Sequence, residues 1–83
     1  MSRCEQTRQQ VISGASDANI RFGDLRNMLT ELGFRERIKG SHHIYTRTGV
    51  REIINLQPDA NGKAKKYQVR QVRHLMQNYA IGQ

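Results

Sequence analysis

The side chains in this sequence best suited to moving protons are its three histidines, His42, His43 and His74. Histidine titrates near neutrality, so one ring can take and return a proton at cellular pH. His42 directly follows Gly40-Ser41. Gly40 permits a tight turn and Ser41 offers a hydroxyl for local hydrogen bonds, which sets His42 at the start of a strand where it can face a ligand. RNA brings its own nucleophile, the ribose 2′-hydroxyl. A placed base that removes that proton promotes attack on the neighbouring phosphate, and nearby cations stabilise the charge that builds on its oxygens. A histidine beside a cationic patch therefore suffices for RNA cleavage without a metal. The residues alone also allow a plainer reading of His42, as a surface histidine without a task.

The remaining candidates carry less. Strand side chains alternate, so His43 points away from His42, and the two neither share a proton-transfer site nor make a metal pair. His43 is expected to be half-buried and His74 solvated. Cys4 lies far in sequence from any histidine and has no assigned role; no metal or cofactor is expected.

The cations are concentrated. The net charge is +7. Through residue 34 four arginines are balanced by four acids, whereas residues 35–74 carry ten lysines and arginines against Glu36, Glu52 and Asp59. An excess confined to one half of a small domain favours a polyanion, nucleic acid first. Lys63, Lys65, Lys66, Arg70 and Arg73 surround the start of the last expected helix, where free N–H groups and the helix dipole also favour phosphate. The same run is also readable as a solvated charged face. Arg35, Arg37 and Lys39 alternate onto one strand face and form a second candidate phosphate surface. Tyr45 is expected in the core, while Tyr67 is open to either a core or a base-stacking role.

The elements that must hold these residues follow from pattern. A short helix is expected over Arg3–Ser13, stopped by Gly14, with a turn at Ser16–Asn19. Ile20, Leu25, Met28, Leu29 and Leu32 give helical spacing across Arg21–Leu32, closed by Gly33. The period then changes to strands at Phe34–Lys39, His42–Thr46 and Arg51–Leu56, whose short connections demand an antiparallel meander. A polar loop, Asp59–Lys66, leads to a helix over Gln68–Tyr79. The fold class is α+β: two layers, a three-stranded antiparallel sheet with helices on one face, an αβββα core like that of double-stranded RNA-binding domains, plus an extra N-terminal helix. The division is residues 1–18 as an extension and 19–83 as the domain. A single cysteine, no apolar leader and no long apolar run give the expectation of a cytoplasmic protein without a membrane segment.

Leu32-Gly33-Phe34, Lys39-Gly40-Ser41-His42, Tyr45, Leu56-Gln57-Pro58 and Gly62-Lys63, followed by a closing helix, occur in that order. The set resembles the HicA (YcfA-like) family over about residues 20–80. The resemblance implies an mRNA-cleaving endoribonuclease toxin that needs no metal, with a HicB-like antitoxin as partner and His42 as the reactive histidine. Lys39, Ser41, Lys63, Lys65, Lys66, Arg70 and Arg73 are the expected RNA contacts. Many family members carry a second histidine after the proline, where this chain has Asp59-Ala60-Asn61. The alternative is a non-catalytic RNA-binding module of double-stranded type.

Overall fold

Ser2 lies in extended backbone and its hydroxyl accepts a hydrogen bond from the Glu5 amide, capping helix α1, Arg3–Ser13. Gly14, in the left-handed region at φ +72°, closes it. The computed structural model describes residues 2–82. After α1 come a 3-10 turn (Asp17–Asn19), α2 (Phe22–Glu31), β1 (Arg35–Lys39), β2 (His42–Thr46), β3 (Ile54–Leu56) and α3 (Lys66–Asn78). The sheet has the order β1-β2-β3 with both pairs antiparallel. This is the α+β architecture that the sequence pattern implies, with an N-terminal helix ahead of the core. Among the described residues, no helix is long and apolar enough to cross a membrane.

Alternation sorts the sheet. Tyr45, Ile54 and Leu56 point toward the helices and are buried with Phe22, Leu25 and Leu29 of α2 and Val69, Val72 and Met76 of α3. Each large apolar side chain buried this way contributes about 2 kcal/mol, which is what holds so short a β3 in place. Helix α1 adds Val11 to the same core and is tied to the rest by polar contacts. Arg8 donates to the Gly82 carbonyl at 2.6 Å, and Arg73 of α3 donates to the Val11 carbonyl at 3.1 Å.

Two boundaries differ from expectation by two residues or more. The pattern predicts a strand over Arg51–Leu56, but only Ile54–Leu56 joins the sheet. The preceding residues are drawn to the end of α3 instead: the Arg51 amide donates to the Tyr79 hydroxyl, which donates to Glu52. Ile53 is left 61% exposed. Helix α3 starts at Lys66, two residues before its expected beginning, because the loop ahead of it is anchored. Ala64 is buried, its amide donates to the Ile20 carbonyl, and the Phe22 amide donates to the Gly62 carbonyl.

Candidate active site

The β1–β2 hairpin turns through Gly40-Ser41, with Gly40 at φ +61°, and brings Lys39 opposite His42. Cross-strand partners share a face, so both side chains stand on the side of the sheet away from the core. His42 is exposed. Its Nδ1 lies 3.1 Å from Oδ1 of Asn55 on β3. An amide oxygen only accepts, so a hydrogen bond here requires a proton on Nδ1, and in the neutral ring that leaves Nε2 as the basic nitrogen. Such a ring is oriented and has its basic nitrogen free.

The turn is also tethered through Ser41, whose hydroxyl accepts from Gln57 Nε2 at 2.8 Å. Past the end of β3, the Gln57 amide donates to Oε1 of Gln68, and Gln68 Nε2 donates to the Tyr67 hydroxyl, both at 3.4 Å. Gln68 is 4% exposed and sits in the first turn of α3. The chain Ser41–Gln57–Gln68–Tyr67 thus connects the histidine-bearing turn to the lysine-rich start of α3.

That helix start has no side-chain cap at Lys65 and no acid in its first turn; the Gln68 N–H turns back to the Lys65 carbonyl, and the Lys66 and Tyr67 N–H groups have no partner among the described residues. Lys66 and Arg70 are exposed and make no ion pair among the described residues. Lys63 and Lys65 are half-buried. The Lys63 amide foremost, with the Asn61 amide and the charges of Lys63 and Lys65, holds the Asp59 carboxyl below the usual carboxylate range. Lys63 and Lys65 therefore already lie near a carboxylate, whereas Lys66 and Arg70 pair with none among the described residues. Tyr67 is 58% exposed beside them.

His43 stands on the opposite side, as alternation requires. Its ring meets Phe22 edge-on at 4.9 Å and its Nδ1 lies 3.7 Å from Glu36 Oε2. Glu36 is gripped by Arg26 through two bonds of 2.9 and 3.0 Å and accepts from the Tyr45 hydroxyl. These contacts, Arg26 first, lower the Glu36 carboxyl to about 2. Burial first, then Glu36, pushes the Tyr45 hydroxyl well above its ordinary value. The cluster locks β1 and β2 to α2, and Tyr45 is a core residue, as expected.

Arg73, expected among the phosphate contacts, is occupied elsewhere. Its guanidinium makes bonds of 2.9 and 3.2 Å to Asp17 besides the one to Val11, with only 14% of the side chain exposed. His74 is exposed and lines a groove with Tyr67, Arg70 and Glu52 rather than joining His42. Sequence reasoning missed Asn55, Gln57 and Gln68. A signal existed for the first two: with Ile54 and Leu56 facing the core, Asn55 and Gln57 must alternate onto the face of His42, and Asn is uncommon in strands.

Among the described residues no three His, Cys, Asp or Glu side chains form a group that could hold a metal ion. No curated protein and no solved structure matches this chain. A family model, that of the HicA toxin of bacterial toxin–antitoxin systems, matches residues 22–78, which run from the start of α2 to the end of α3 and include the whole sheet. The chain belongs to the HicA toxin family.

Proposed function

We propose that this toxin is a metal-independent mRNA endoribonuclease whose acid/base group is His42. The observation that carries the reading is the exposed His42 ring, oriented through Nδ1 by Asn55 and free at Nε2. In the proposed reaction Nε2 removes the proton from a ribose 2′-hydroxyl, and the 2′-oxygen attacks the adjacent phosphorus. The bond to the 5′-oxygen breaks, the imidazolium returns the proton to it, and a 2′,3′-cyclic phosphate and a 5′-hydroxyl remain. Lys39, Lys66 and Arg70, with Lys63 and Lys65 more weakly, stabilise the phosphate charge. Ser41 acts through its hydroxyl's hold on the turn. In the cytoplasm a HicB-like antitoxin would silence the toxin by covering the His42 face. Analysis of RNA ends after incubation with pure protein and a chelator tests the chemistry: cyclic phosphates support it, and 3′-hydroxyl ends exclude it.

A second reading, a non-catalytic module for duplex RNA, is favoured by the lysine-rich start of α3 and by Asp59-Ala60-Asn61 standing where a second imidazole is common. It predicts salt-sensitive binding to duplex RNA that is indifferent to His42.

A further inference from the structure

All five residues of β1 are exposed, and alternation divides them. Glu36 turns toward Arg26 and Tyr45, with Ile38 on the same side. Arg35, Arg37 and Lys39 stand on the other side, opposite Thr46, Ile44 and His42 respectively. None of the three cations makes an ion pair among the described residues. A shallow hollow over Ile44 is bordered by Arg35, Arg37, Thr46 and the exposed Ile53. The one carboxylate at its border, Glu36, is already held by Arg26.

We propose that this open sheet face is a track for a single strand of RNA, with successive phosphates on Lys39, Arg37 and Arg35 and bases over Ile44 and Ile53. The inference rests on His42 being the cleaving group, because the row of cations ends beside it. Three arguments select this occupant. Alternate residues of a strand are ~7 Å apart, close to the separation of consecutive phosphates along an extended single strand. The face pairs cations with exposed apolar carbon, and unpaired bases use both, whereas a duplex hides its bases and offers phosphate. Arginine can also lie flat against a base while holding a phosphate. The row of cations on β1 would lead the strand to His42, with Lys39 beside the scissile phosphate.

The test uses the full chain carrying His42→Ala, so that RNA survives, with and without Arg35→Gln, Arg37→Gln and Lys39→Gln together. Fluorescence anisotropy reads binding of an unstructured oligoribonucleotide and of a hairpin duplex. The triple variant should lose at least about tenfold in single-strand affinity, with a salt slope shallower by about 2, and the unstructured RNA should bind better than the hairpin. Lys39→Gln alone, if the triple variant unfolds, should lose about a third of that slope. Unchanged single-strand binding would overturn the track, as would a preference for the hairpin or a loss confined to antitoxin binding. Cleavage is read separately with His42 present. RNA left intact by the unsubstituted protein would defeat the catalytic reading, while full cleavage by the triple variant would defeat the track alone.

Discussion

His42 and Asn55 meet diagonally across the β2–β3 ladder, Nδ1 to Oδ1 at 3.1 Å, on the face of the sheet opposite the core. The contact fixes the rotation of the ring and favours the tautomer with its proton on Nδ1. In the proposed mechanism Asn55 is thus a positioning residue for His42.

Replacing Asn55 with Ala should lower kcat about tenfold, a fraction of the ~10²–10⁴ that an acid/base group contributes. Asn55→Asp should retain orientation and restore much of the rate. A carboxylate beside an imidazole favours its charged form, so the acid limb of the pH–rate profile should move to higher pH. A merely structural role for Asn55 would lower the rate at every pH and leave the profile where it was.

Glu36 gives the fold an acid-sensitive joint. Its carboxyl titrates at about 2 in the folded chain against an ordinary 4.5, so folding favours the ionised form. Its contribution is complete above pH 4.5 and drains away as pH falls from there toward 2. Urea midpoints measured across this window should fall with pH in the native sequence. In Glu36→Gln they should start lower and vary less, because the group that titrates is gone.

Arg73 holds α3 to the segment between α1 and α2 through Asp17 and the Val11 carbonyl. Arg73→Ala should cost about 2 kcal/mol, the scale for charge-assisted bonds between half-buried partners. Thermal unfolding reads the loss. The salt dependence of RNA binding should be unchanged, since this guanidinium is not on offer to phosphate.

Lys66 and Arg70 make no ion pair among the described residues, whereas Lys63 and Lys65 share Asp59. Lys66→Gln and Arg70→Gln should each reduce the salt slope of single-stranded RNA binding by about 0.7. Lys63→Gln should reduce it less. Equal effects at all positions would mean that Asp59 gives way to the ligand.

Most of the scaffold was legible because its signals are local. The Arg3–Ser13 helix has its stop in Gly14, and the His42–Thr46 strand follows a glycine turn and carries β-favouring residues; both appear with the predicted bounds. The shortened β3 was not legible. Its first half has strand chemistry, and only a tertiary bond from Tyr79, distant in sequence, draws it off the sheet. The site divides the same way. The turn that carries His42 is written in Gly40-Ser41, whereas Asn55, Gln57 and Gln68 act through partners that only the folded chain brings near. Arg73 differs in the opposite direction: its neighbours in sequence place it in the basic cluster, and in the fold its guanidinium pairs with Asp17.

The most direct test compares purified native protein with His42→Ala on mRNA in the presence of a chelator, with matched far-UV spectra and antitoxin affinities. The account predicts that the native chain cuts and that His42→Ala is slower by ~10²–10⁴ while still folding and still binding RNA. Equal cutting by the two proteins would contradict it.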